Sequence, residues 1–264
     1  MPEPHLLLER HGHVLVVTMN RPEAKNAWSL EMLARMWAAW QEVDQDETIR
    51  VAILTGAGGT FSAGADLKMM HGDQSTNPWH AQFQADPELH WKAMLRHYRL
   101  KKPLIAAIEG FALGGGTEII QCTDLRVAGK SAVFGLTEAV YGLFPLGGST
   151  VRLARQIPYT AAMEMLLTGR RVSAEEARGW GLIGRVVEDG QALATALELA
   201  QRIAANGPLS VQAIKRSVIE AADVSEAEGL ALELAIGQPV FRSQDAREGP
   251  RAFAERRTPD FKGQ

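Results

Sequence analysis

The sequence predicts an α/β protein with an all-helical C-terminal end, and two patterns predict it. Up to about residue 172, short apolar or β-rich runs alternate with amphipathic stretches and glycine-bearing turns, the mark of stacked βαβ-like units. From Ser173 onward, capping signals and helical runs succeed one another. At 264 residues with a 46% apolar share, one core with an appendage is expected rather than two full domains.

A net charge of −3 gives no global reason to seek nucleic acid or an anionic membrane, so any anion must be bound by local groups. The single cysteine, Cys122, excludes an intramolecular disulfide, fits a reducing compartment and reads as a small buried apolar residue. The Leu6–Leu8 run is too short for a signal segment, and no window approaches a membrane span; a soluble, cytoplasmic protein is expected.

In chain order, residues 6–10 and 14–20 are β-rich runs around His11-Gly12-His13, which reads as a hairpin. Two histidines flanking a turn glycine read as solvated, and no metal site is expected. Residues 21–27 form a loop with two cations, Arg21 and Lys25, a phosphate clamp only if another anion-binding element faces it. Ser29 caps a helix to about Asp46, with Leu30, Leu33, Trp37, Trp40 and Val43 as its apolar stripe. Residues 51–55 read as a buried strand. Residues 69–90 read as an irregular loop of the kind that forms lids or substrate walls. The cations between Lys92 and Lys102 read as a solvated helix face, with an RNA-binding comb as the alternative.

Residues 104–108, 125–128 and 132–134 are strand candidates, and Ser149 is read as the cap of the next helix. Ser173 with Glu176, and Ser225 with Glu228, fit capping boxes. Asn206-Gly207-Pro208 stops one helix and starts another. Residues 192–205, 209–222 and 227–241 are successive helical runs. The last is apolar around much of its circumference and is expected in a subunit interface.

Two stretches carry chemistry. Gly114-Gly115-Gly116-Thr117-Glu118 comes after a strand and opens a helix, so bare amides meet the positive end of a helix dipole with a carboxylate three residues after Gly115. An oxyanion site beside an acid or base is the minimum kit for chemistry on a carbonyl compound. In Phe61-Ser62-Ala63-Gly64-Ala65-Asp66-Leu67-Lys68, small residues bring the backbone close to the chain opposite, and the Ala65 amide offers a second anion donor. Glu138 places a second carboxylate directly after a strand.

FSAGADLK, IEGFALGGGTE, FGLTEAVYGLFPLGGS and a run of C-terminal helices ending in DFKGQ, in this order and spacing, resemble the crotonase or enoyl-CoA hydratase/isomerase superfamily over nearly the whole chain. The resemblance implies a spiral of ββα units with two nearly perpendicular sheets. Residues 1–200 would form the core with the CoA and active sites, and residues 201–264 a helical region driving a homotrimer or a dimer of trimers.

It also implies an acyl-CoA substrate whose thioester oxygen sits between the amides of Ala65 and Gly115, with Glu118 activating water for attack at C3 and Glu138 exchanging a proton with C2 or that water. Members that hydrate 2-trans-enoyl-CoA carry both glutamates, so the implied activity is an enoyl-CoA hydratase. The alternatives are a Δ3-Δ2 enoyl-CoA isomerase and a non-enzymatic acyl-CoA-binding or RNA-binding member. No cofactor is implied, because coenzyme A enters with the substrate. By position, Arg21, Lys25, Ala63, Ala65, Asp66, Leu67, Lys68 and Gly115 meet the CoA, joined by Phe261 and Lys262 of a neighbouring subunit. Leu136, Tyr141, Phe144 and Leu146 would wall the acyl pocket. Leu146 stands where many short-chain hydratases have glycine, and Thr117 where they have cysteine or another small residue. This turn looks similar to that of hydratases of sterol side-chain breakdown, which implies a bulky or branched acyl group.

Overall fold

The computed structural model describes residues 3–70, 72 and 74–264. Six strands form the main sheet in the order β1-β2-β3-β4-β6-β9: Leu6–His11, Val14–Met19, Val51–Gly56, Leu104–Ile108, Leu125–Gly129 and Arg185–Val187. β1 and β2 are an antiparallel hairpin turning at Gly12, as expected from the sequence, and the other pairs are parallel. β2, β3 and β4 read as continuous apolar runs because both faces of the sheet are covered. One face, with Leu15, Val17, Leu54, Ala106 and Ile108, packs on the helix Leu30–Gln45 through Met32, Met36 and Trp40. The other, with Val16, Ile53, Ile105 and Val127, packs on Ala192, Ala196, Ala200 and Ala204, whose small side chains line one stripe of the helix Ala192–Ala204.

A second, three-stranded sheet runs β5-β7-β8, Phe111–Leu113, Val133–Gly135 and Val172–Ser173. Single bridges extend it: Ser62 pairs with Ala112, and Trp28 with Ala65. Residues 62–65 thus lie as an extra extended segment between 25–28 and β5, through Ala63 N–H to Lys25 O (2.9 Å), Trp28 N–H to Gly64 O (2.9 Å) and Leu113 N–H to Ser62 O (2.9 Å).

Most elements fall where the sequence places them, with Ser29 accepting from Met32 N–H and the full Ser225/Glu228 box in place. Several expectations need correction. Ser149 is the first residue of its helix, not the cap; Gly148, at φ 118°, takes the cap conformation that a side chain disfavours. Ser173 caps as expected, but Glu176 turns to Arg170 instead of closing the box. The basic stretch is not one helix face: the helix Leu89–Ala93 ends and Leu95 adopts a positive φ of 56°. Three of its cations have partners, Lys92 on Asp86 (2.7 Å), Arg96 on Leu146 O (2.6 Å) and buried Lys102 on Asp46 O (2.7 Å). The stretch read as an irregular loop contains the short helix His80–Ala85 and the start of Leu89–Ala93, while its His71 and Asp73 lie outside the described residues. The last apolar run divides into the helix Glu226–Gly237 and a 3-10 turn, Val240–Arg242.

Candidate active site

β5 and β7 run parallel, with Leu113 opposite Gly135, so the segments after the two strands emerge at the same edge of the second sheet. After β5 comes the helix Gly115–Ile120, which carries Glu118; after β7 comes the 3-10 turn Glu138–Tyr141. Gly114 N–H bonds to Gly135 O (2.8 Å), and Thr117 Oγ1 donates to Ala112 O while accepting from Gly135 N–H (3.1 Å). Thr117 therefore fixes the helix to both strands.

The two glycine-bearing motifs meet here. A Cβ on Gly64, which has φ 81°, would lie 2.6 Å from Gly115 N, and one on Gly116 would lie 2.4 Å from Ser62 O; only bare backbone allows this approach. Trp28 fills the space beside Gly115, where a Cβ would fall 2.4 Å from its ring. Among the described residues the N–H groups of Ala65 and Gly115 donate to no protein acceptor, so two adjacent backbone donors stay free. That is the arrangement required to hold a developing oxyanion.

Glu118 is only 4% exposed. Burial pushes its carboxyl up, and the N–H groups of Ser149 and Gly147, the Ser149 hydroxyl and the charge of Arg152 offset this only in part. Ser149 N–H reaches Glu118 Oε1 at 3.3 Å. A Cβ at Gly147 would lie 2.6 Å from Glu118 Oε2, so any side chain there would push the carboxylate out of place. Glu138 is pushed up to about 7, first by burial, with its own N–H pulling the other way and the charge of Glu118 adding to the rise. Its Oε2 is buried without a hydrogen-bond partner. So one carboxylate has several donors and the other is nearly bare, which separates their proton affinities.

The other expected site residues divide. Ala63, Asp66, Leu67 and Lys68 continue the chain through Ala65 along the rim, where Leu67 and Lys68 are exposed. Arg21 is already committed to Asp66 (2.7 Å) and Ala27 O (3.1 Å). Burial pushes the Asp66 carboxyl up, but Arg21 and the N–H groups of Met69 and Lys68 outweigh it and hold the group below its usual range. Lys25 stands over the Phe111 ring at 4.9 Å. Phe261 and Lys262 do not join the site of their own chain: Phe261 O accepts from Arg50 (2.6 Å), and Lys262 N–H donates to Asp245 (2.7 Å). Leu136 is buried in the main core, whereas Tyr141, Phe144 and Leu146 are exposed beyond Glu138.

Sequence reasoning missed Asn26, which is fully buried at φ 52° and clamps the loop by donating to Ala57 O (2.9 Å) and Thr60 O (2.8 Å) and accepting from Arg21 N–H (2.8 Å). It also missed Gln121, whose only signal was a polar residue inside an apolar helical segment, and it read Ser149 as a cap rather than as a partner of Glu118.

The profile of the family described as Enoyl-CoA hydratase/isomerase matches residues 9–264. Enoyl-CoA hydratase EchA19 of Mycobacterium tuberculosis is 56% identical over 262 residues, covering 98% of this chain and 96% of that protein. The (E)-benzylidenesuccinyl-CoA hydratase of Thauera aromatica is 42% identical over 97% of this chain and 98% of its own. Among solved structures, an enoyl-CoA hydratase from M. tuberculosis H37Rv superposes with a TM-score of 0.90 at 42% identity, covering 99% of this chain and 100% of that one.

Proposed function

The chain belongs to the enoyl-CoA hydratase/isomerase family, with the crotonase fold, and is an enoyl-CoA hydratase, a hydro-lyase; from that premise we propose that Glu118 and Glu138 move the protons while the amides of Ala65 and Gly115 hold the thioester oxygen. The observation that carries this reading is the gathering of two free amides, the buried Glu118 and the half-buried Glu138 in unlike environments at one sheet edge.

In the hydration direction, ionised Glu118 takes a proton from water as the water oxygen bonds to C3. The C2=C3 electrons move toward the thioester, and the resulting enolate oxygen accepts from the two N–H groups, where losing one donor typically costs about 3 kcal/mol of barrier. Glu138, protonated, gives its proton to C2, and proton exchange with solvent then returns Glu118 to the carboxylate and Glu138 to the acid. Dehydration retraces these steps. Beyond the acyl-CoA, water and these protein groups, the steps call for no cofactor. Lys25, Ala63, Asp66, Leu67 and Lys68 are read as the CoA wall, with Arg21 shaping that wall through Asp66. Phe261 and Lys262 would serve a neighbouring subunit of a homotrimer or dimer of trimers. Leu230, Leu234 and Phe241, at 56%, 60% and 83% exposure, supply apolar surface for that assembly.

A bulky acyl group is supported by the apolar rim of Val140, Tyr141, Phe144 and Leu146, all more than half exposed. The name of the Thauera relative likewise carries a benzylidene-substituted acyl group. The test is a mass and absorbance assay of wild type, Glu118→Gln and Glu138→Gln on 2-enoyl-CoAs from four-carbon to steroidal. Gain of one water by wild type, cut about a hundredfold or more by each substitution, is the expected result. Double-bond migration without a 3-hydroxyacyl product would replace hydration by isomerisation. Crotonyl-CoA turned over as well as a steroid enoyl-CoA would remove the bulky-acyl reading.

A further inference from the structure

Behind Glu118 lies a buried polar pair that none of the proton-transfer steps uses. Gln121, one turn along the same helical segment, is 3% exposed, and Ser149 is fully buried. Gln121 Nε2 forks to Thr117 O (3.0 Å) and Ser149 Oγ (2.8 Å), and Gln121 O accepts from Gln156 Nε2 (2.9 Å). Gln121 Oε1 is buried without a partner.

The amide can stand only one way round. Thr117 O is a carbonyl and accepts only, so the NH2 end must face it, and the same nitrogen then donates into the Ser149 hydroxyl. A hydroxyl that receives this bond must send its own proton elsewhere. The group it faces is the Glu118 carboxylate, to which Ser149 also offers its backbone N–H at 3.3 Å. An apolar side chain of the same length at position 121 would leave both the Thr117 carbonyl and the Ser149 hydroxyl without this donor, so the amide stands there for its hydrogen bonds.

We infer that Gln121 and Ser149 form a directional relay of positioning residues, in which Gln121 Nε2 holds the Ser149 hydroxyl with its proton on Glu118, fixing that carboxylate in the ionised, water-activating orientation. The inference rests on Glu118 acting as the base that activates water. The other titratable groups around Glu118 are Arg152 on the helix Ser149–Gln156, Glu138 after β7 and Cys122 next in sequence to Gln121. All three stay in place in every test variant.

The experiment is the pH profile of kcat and kcat/KM, using the 2-enoyl-CoA that wild type turns over fastest. The variants are Ser149→Ala, Ser149→Thr, Gln121→Met, the Ala/Met double substitution and Glu118→Gln. A hydrogen bond to a charged group is worth about tenfold or more, so Ser149→Ala is expected to lower kcat about tenfold with little change in KM. The same loss moves the acid limb of kcat/KM up by about one pH unit, because the ionised carboxylate loses a donor. Ser149→Thr restores both. Gln121→Met shifts the limb in the same direction by less, and the double variant goes no further than Ser149→Ala, since Gln121 acts only through the hydroxyl. Ser149→Ala removes a single oxygen, so it reports even if the methionine variant fails to fold. A Ser149→Ala profile superimposed on wild type, or single effects that multiply in the double variant, overturns the relay while Glu118→Gln remains inactive. Wild-type turnover in Glu118→Gln instead overturns the role of Glu118 itself, and the relay with it.

Discussion

Replacing Glu138 with glutamine is expected to remove activity and to stabilise the protein, by an amount that grows with pH. The Glu138 carboxyl is raised from its ordinary 4.5 to about 7 in the folded state, mainly by burial. Below pH 4.5 it is neutral in both folded and unfolded chains, so Glu and Gln are equivalent. As pH rises, the unfolded chain ionises freely while the folded chain must hold the proton against solution. This penalty grows until the folded group also ionises near 7, and is constant above. Stability is therefore fully present at low pH and lost as pH rises through the folded pKa. Each pKa unit is worth about 1.4 kcal/mol, so the advantage of Glu138→Gln is about 1 kcal/mol at pH 5 and about 3 kcal/mol at pH 8. For a chain of this size, about 3 kcal/mol corresponds to roughly 6–12 °C in Tm. Thermal and urea unfolding of both proteins at pH 5 and pH 8, at equal protein concentration because association shifts Tm, measures the difference. A difference that is the same at both pH values, or is larger at pH 5, refutes the claim that burial holds this carboxyl neutral.

Other substitutions test the frame around the site. In Gly147→Ala the new Cβ would fall 2.6 Å from both Glu118 Oε2 and Met94 Cε. The methionine end can yield, but the carboxylate must move, and kcat is expected to fall about a hundredfold with circular dichroism unchanged; activity within threefold of wild type counts against the glycine's role. In Asn26→Ala, Ala57 O and Thr60 O lose their donor and alanine must hold φ 52°. A loss of about 3 kcal/mol in urea denaturation is expected, and one below about 1 kcal/mol would show that the loop closes without the clamp.

How much of this was legible in the sequence depended on whether the signal was local. The long strands 104–108 and 51–56 and the helix after Ser29 announce themselves by composition and capping. Of the second sheet only β7 does, as the candidate at 132–134, because β5 and β8 are three and two residues long, too short to show alternation. Yet this sheet brings Glu118 and Glu138 to one edge. The carboxylates were legible as a motif, whereas their proximity is a consequence of parallel pairing between β5 and β7. Gly148 in place of Ser149 as the cap was hidden for a similar reason. Ser149 is a good cap in isolation, but the turn that presents Gly147 to Glu118 needs φ 118° at the next position. Arg21 reads as a free cation until Asp66, 45 residues away, comes within 2.7 Å.

The two carboxylates must share their protons unequally for the proposed chemistry to run, and the fold supplies the inequality. In the reactive form for hydration there is one proton for the pair, and its position decides which group activates water. Glu118 receives N–H groups from the 147–149 turn and the hydroxyl of Ser149, and it feels Arg152. Glu138 has an orphan Oε2 and, beyond its own N–H, only the repulsion of Glu118. Donors favour the charged form and their absence favours the neutral one, so the proton belongs on Glu138. At pH 6, below its pKa of about 7, Glu138 then holds it, and kcat/KM for hydration falls as pH rises past about 7 and that proton is lost. Infrared difference spectra assign the proton directly. Wild type minus Glu138→Gln at pH 6 is expected to contain a protonated-carboxyl band that fades as pH rises through 7, and wild type minus Glu118→Gln is expected to lack it. The band appearing in the second difference rather than the first would exchange acid and base, and with them the direction in which the donors around Glu118 act.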